Sequence, residues 1–171
     1  RNRTVAIVGY DLCPDVRIRE ITRQIAHAVR AIAERTTGEI GLTGHSAGGH
    51  LVARMLAPGM LPDPVRGRIA RALPISPLSD LEPLLQTSMN AVLGLDLGEA
   101  QAESPMRQPK PEGVPVTVWV GSAERPAFLE QARWLADAWQ ANLVTMPGKH
   151  HFDVIDALAD PGSAMVSALL D

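Results

Sequence analysis

The sequence predicts a single α/β domain built on a mainly parallel sheet with flanking helices, and three observations carry that prediction. Short continuous apolar runs, such as VPVTVWVG at 114–121, alternate along the chain with helical patterns. In those patterns the apolar residues recur at steps of three and four, the period of one helix face. The 171 residues, 46% of them hydrophobic, suit one core spanning 1–171 rather than two.

Each element has its own local reason. TVAIVG at 4–9 reads as a strand buried on both faces, followed by the turn residues of YDLCPD. From Val16 to Ala33 a helix is expected, with Ile18, Ile21, Ile25, Val29 and Ile32 on one face, Asp15 as N-cap and Gly38 just past the end. A strand at 39–44, a helix at 47–56 and a strand at 71–76 follow. Residues 81–93 read as one helix on Leu81, Leu84, Leu85, Met89 and Val92, and 98–115 as a polar, Pro-rich connection. After the strand at 114–121 comes a helix whose apolar face uses Phe128, Ala132, Leu135 and Trp139. NLVTM at 142–146 is the last strand, and the remainder forms short helices broken at Pro161-Gly162.

Charge and composition narrow the partners. The 16 basic and 19 acidic residues are scattered, for a net charge of −3, so there is no basic stripe for nucleic acid or an anionic membrane. No run approaches the roughly 18 apolar residues of a membrane span. A small-molecule partner is expected, and a homodimer is compatible with the composition. The lone Cys13 excludes an internal disulfide and, with no recognisable signal segment, points to the cytoplasm. The opening RNRTVAIVGY has no initiator methionine and enters an apolar run at once, so the chain is expected to be the C-terminal part of a longer protein.

GLTGHSAGGHLVARM at 41–55 carries the chemistry. Gly44-His45-Ser46-Ala47-Gly48 matches G-x-S-x-G between a strand and a helix, the context of a strained nucleophile turn. Both motif glycines are expected to be needed for close strand–helix packing. Ser46 would project above the sheet at a helix N-terminus, with the Ala47 N–H available to an oxyanion. The alternative is a Gly-rich turn with no chemistry. A phosphate cradle is excluded, because no Lys-Ser or Lys-Thr follows the glycines.

A serine nucleophile needs a base. His27 lies on the polar side of the first helix, and His45 and His50 flank the turn as packing or hydrogen-bonding residues, which leaves His150 and His151 just past the last strand. The orienting carboxylate is expected at Glu124, past the end of the strand at 114–121, with Asp80 as a rival better explained as a helix cap. Asp153 and Asp156 are expected to start the terminal helix. The order Ser46, Glu124, His151, with spacings of 124 − 46 = 78 and 151 − 124 = 27, is the nucleophile, acid, base order of G-x-S-x-G enzymes.

With these residues assembled, the chain resembles the α/β-hydrolase superfamily, in the esterase/lipase branch that includes kynurenine formamidase. GYDLCPDVRI, GHSAGGHL, ISPLSDLEPL, the Ser-Pro at 104–105, GSAERPAFLEQA and KHHFDV carry the resemblance across nearly all of the chain. It implies Ser46 as nucleophile, Glu124 at the acid position, where aspartate is common, and His151, directly before Phe152, as base. It implies hydrolysis of an ester or small amide, N-formylkynurenine or a carboxylic ester, with no cofactor or metal. It also implies a His-Gly-Gly loop supplying the second oxyanion N–H and a strand between 4–9 and 39–44, neither matched within residues 1–171. A non-catalytic binding domain and an inactive fragment are the competing expectations.

Overall fold

The computed structural model describes residues 3–171. In chain order its elements are α1 (Ile18–Arg35), β1 (Ile40–His45), α2 (Ala47–Met55), α3 (Asp63–Arg66), β2 (Ile69–Ile75), α4 (Asn90–Leu93), α5 (Leu97–Ala102), β3 (Thr117–Gly121), α6 (Pro126–Trp139), β4 (Asn142–Met146) and α7 (Ala164–Leu170). Short 3-10 turns occupy Glu82–Gln86, Pro105–Arg107 and Val154–Ala159. The four strands form one parallel sheet in the order β1-β2-β3-β4. No helix among the described residues is long and apolar enough to cross a membrane.

Strand alternation explains how the sheet is covered. On one face Ala72, Val118 and Val120 pack with Val52 and Met55 of α2 and with Ala132, Leu135 and Trp139 of α6. On the other, Leu73, Ile75 and Trp119 pack with Val154 and with Met165 of α7. Successive residues of β2 and β3 therefore point into two cores, which is why these strands read as continuous apolar runs. Each large side chain buried this way contributes about 1.5–3 kcal/mol.

Several expectations are corrected. Residues 4–9 form no strand, and Val5 and Ile7 are 82% and 95% exposed. A strand exists only beside a neighbour, and no described residue pairs with this segment or with the outer edge of β1. The first helix starts at Ile18, capped at Arg17 rather than Asp15, because the Glu20 carboxylate accepts the Arg17 N–H at 3.1 Å. The helix expected over 81–93 is split into the Glu82–Gln86 turn and α4, since the Thr87 hydroxyl donates to the Leu84 carbonyl at 2.9 Å and Thr87 is extended.

The 98–115 connection is not a solvated loop either. Its Glu99 and Glu103 are buried. Glu99 pairs with the Arg17 guanidinium and accepts the Arg19 N–H at 3.2 Å. Glu103 accepts from Arg54 Nε at 3.0 Å and from the Thr22 hydroxyl at 2.8 Å, joining α1 and α2 to the segment after α5. In the same pocket His50 Nε2 donates to the Glu103 carbonyl at 2.7 Å. These partners lie 49 to 82 residues apart in sequence, beyond any local pattern.

The buried His50 gives a pH-dependent stability. Burial, opposed by its bond to the Glu103 carbonyl, lowers its pKa from 6.5 to about 4. Below pH 6.5 the unfolded chain therefore takes up a proton that the folded chain refuses, so stability present at neutral pH is lost as pH falls towards 4. Unfolding free energies are expected to drop by about 2 kcal/mol from this group between pH 7 and pH 5. His50→Gln should flatten that part of the slope in urea titrations, and an unchanged slope would sink the assignment.

Candidate active site

The G-x-S-x-G turn joins the carboxyl end of β1 to α2. Ser46 has φ 56° and ψ −116°, a conformation that side chains rarely adopt, and its N–H donates to the Ile75 carbonyl at 2.9 Å. A bond to the neighbouring strand's end thus holds the serine in a strained turn, and strain of this kind clusters at functional sites. Close packing explains the glycines, though not the expected pair. A Cβ at Gly44 would lie 2.5 Å from the Gly48 carbonyl oxygen, and one at Gly49 would lie 2.8 Å from that of Ile75, whereas Gly48 itself has open space. Gly49, outside the pentapeptide, is the second position where only glycine fits. Ala47 opens α2, so its N–H has no acceptor within the helix.

Glu124 lies in the turn between β3 and α6, and its side chain is fully buried. One carboxylate oxygen accepts the Ser76 hydroxyl at 2.5 Å and the Gly121 N–H at 2.8 Å, and the other accepts from His151 Nδ1 at 2.7 Å. A buried carboxylate is tolerated because these donors replace water. Ser76 sits at the end of β2 with φ 45°, and its N–H donates to the Trp119 carbonyl at 2.6 Å. The sequence reading missed Ser76; its only signal was a hydroxyl directly after an apolar strand.

The loop carrying the two histidines is tied to the Glu124 turn. Ala123 N–H donates to the Lys149 carbonyl at 2.9 Å, and Gly148 N–H donates to the Ser122 hydroxyl at 2.8 Å. A Cβ on Gly121 would collide with the Lys149 backbone, so only glycine lets the loops meet. Within this loop the histidines diverge. His151 is hydrogen-bonded to Glu124, while the His150 side chain is 57% exposed and its Nδ1 accepts the Phe152 N–H at 3.1 Å. The His151 ring lies 4.4 Å from that of His45, the residue before Ser46. That contact links the base candidate to the serine turn. Burial first, and His151 second, hold the His45 pKa below its usual value, which favours a neutral ring there.

The remaining candidates are placed elsewhere. His27 is exposed on α1. Asp80 is not the expected helix N-cap, which is Leu81 without a side-chain cap; its carboxylate instead accepts the Glu82 N–H at 3.1 Å and pairs with Arg107 at 3.1 Å. Asp153 precedes the Val154–Ala159 turn but caps nothing there with its side chain; it accepts the His150 N–H at 2.6 Å instead. Asp156 lies within that turn, 3.7 Å from the Lys149 ammonium. Among the described residues, no group of three His, Cys, Asp or Glu side chains is placed to hold a metal.

No protein-family model matches the chain. In sequence it is 30% identical to a kynurenine formamidase of Drosophila melanogaster, over 93% of this chain and 59% of that protein. It is 27% identical to a kynurenine formamidase of Salmo salar, over 97% and 61%. The chain thus spans about three fifths of the length of the curated relatives it matches. Among solved structures, a protein of Silicibacter sp. with a provisional thioesterase name superposes with TM-score 0.93 at 57% identity, over 95% of this chain and 62% of that one. An esterase of Thermogutta terrifontis in its propionate-bound form superposes with TM-score 0.64 at 21% identity, over 92% and 69%, a likeness of fold. The parallel sheet, the strained serine turn and these likenesses together identify the chain as having an α/β-hydrolase fold and as similar in sequence to kynurenine formamidases.

Proposed function

We propose that the protein is a serine hydrolase of small esters or amides in which Ser46, His151 and Glu124 act as a triad. The observation that carries this reading is the hydrogen bond from His151 to the buried Glu124, packed through His45 against the strained turn that presents Ser46. His151 Nε2 removes the Ser46 hydroxyl proton as Oγ bonds to the carbonyl carbon. The Ala47 N–H stabilises the resulting oxyanion, with a second N–H from the His-Gly-Gly loop that the family resemblance implies. Collapse of the intermediate expels the amine or alcohol, which takes the proton from His151. Water then attacks the acyl-serine with His151 as base, releasing the acid and restoring Ser46. Glu124, held by Ser76 and the Gly121 N–H, keeps Nδ1 protonated and balances the imidazolium charge.

The substrate best supported is an aryl formamide such as N-formylkynurenine, because the curated relatives are kynurenine formamidases. Esters and thioesters are the next acyl donors in line, since the structural neighbours carry those names and a fold does not fix substrate. Purified full-length protein should release formate from N-formylkynurenine with a kcat/KM at least about tenfold above that for p-nitrophenyl acetate or an acetyl thioester. A preference for either of the latter would reject the formamidase assignment while keeping the serine chemistry.

A further inference from the structure

Phe128 is placed where neither the helix pattern nor the triad requires it. The α6 face on which the apolar pattern puts it buries Ala132, Leu135 and Trp139 in the core, but Phe128 is only partly buried and stacks on His151, with centroids 4.0 Å apart and planes 25° from parallel. The other aromatic contacts of His151 are less parallel: His45 is tilted by 44°, and Phe152, 80% exposed, meets it edge-on at 5.5 Å. We propose that Phe128 is a positioning residue for His151, its ring fixing the imidazole plane in the orientation that proton transfer from Ser46 requires. This rests on the reading of His151 as the base.

The need for such a wall follows from geometry. The Nδ1 bond to Glu124 holds one edge of the imidazole, but combined small changes in the two side-chain torsions can still rotate the ring plane while that bond is kept. The Cβ–Cγ torsion of histidine is broad and offers little resistance of its own. A stacked aromatic face opposes that rotation, and offset stacking is a favoured geometry for two rings. The chain supplies the wall economically. Phe128 follows Glu124 by four residues, in the first turn of α6, where Pro126 sets the helical φ and the Phe128 N–H donates to the Arg125 carbonyl at 2.9 Å. One short segment, ERPAF at 124–128, thereby carries both the acid and the ring against the base.

The test uses full-length Phe128→Leu and Phe128→Tyr with two readouts, steady-state hydrolysis of p-nitrophenyl acetate and the ring 15N–1H spectrum of His151. Leucine keeps apolar volume and loses the flat face; tyrosine keeps the face. Phe128→Leu should lower kcat about tenfold with KM within about twofold, and should shift or broaden the His151 ring signals. Phe128→Tyr should restore both. The proposal is overturned if Phe128→Leu matches the wild type, if leucine and tyrosine are equally impaired, or if kcat falls while the His151 spectrum stays unchanged. The spectra report on the stack without turnover, so a wild type inert to substrate and to fluorophosphonate would refute the hydrolase reading separately.

Discussion

Full-length Ser46→Ala is expected to lose fluorophosphonate labelling and to fall in kcat by on the order of 10⁶-fold, with its melting temperature unchanged. The size of the loss follows from chemistry, since without Oγ there is no atom to form the acyl-enzyme. The unchanged fold follows from geometry. Ser46 sits at φ 56° held by its own N–H, and alanine carries the same Cβ into that turn, so the backbone strain is the same in both proteins. His151→Ala should abolish labelling as completely, because the hydroxyl then lacks its base. His150→Ala should retain activity close to wild type, since the His150 ring is exposed and Glu124 bonds to His151. Persistent labelling of Ser46→Ala, or a defect that follows His150 instead, would defeat the proposed triad.

Glu103→Ala should destabilise the protein by about 3–5 kcal/mol, measured as the shift in urea midpoint at constant m. The carboxylate serves Arg54 and Thr22 in a buried pocket, and removing it leaves a buried guanidinium without its counter-charge. Breaking a buried pair costs far more than the pair is worth as a unit. Replacing both partners, Arg54→Met with Glu103→Leu, should therefore cost well under the sum of the single changes. A loss below about 1 kcal/mol for Glu103→Ala would mean that water reaches Arg54 and that the pair is not truly desolvated. The expected lesion is one of stability: Arg54 lies in the last turn of α2, the helix that Ser46 precedes, and it is the seating of α2 that Glu103 secures.

The proposed site was largely legible because its parts are local. A glycine two residues before a serine, between an apolar run and a helical pattern, is visible in any window, and so are a carboxylate and a histidine pair just past later strands. The same windows misjudged what depends on distant partners. Residues 4–9 have the composition of a buried strand, but pairing requires a neighbour at sheet spacing, which periodicity does not report. Glu99 and Glu103 look solvated until Arg17 and Arg54 are placed beside them. Phe128 fits the α6 core stripe by number, one turn before Ala132, and its turn to the imidazole is settled by what lies opposite.

By itself, the sequence determined the parallel α/β architecture and the order in which Ser46, Glu124 and His151 occur, because backbone period and turn chemistry are written in neighbouring residues. Only the tertiary structure decided which histidine faces the acid, that Ser76 and the Gly121 N–H hold that acid from β2 and β3, and that Phe128 leaves the core for the imidazole. Those outcomes depend on how loops from separate strand ends meet. Hydrogen bonds and ring contacts act over a few ångströms in space, whatever the separation along the chain.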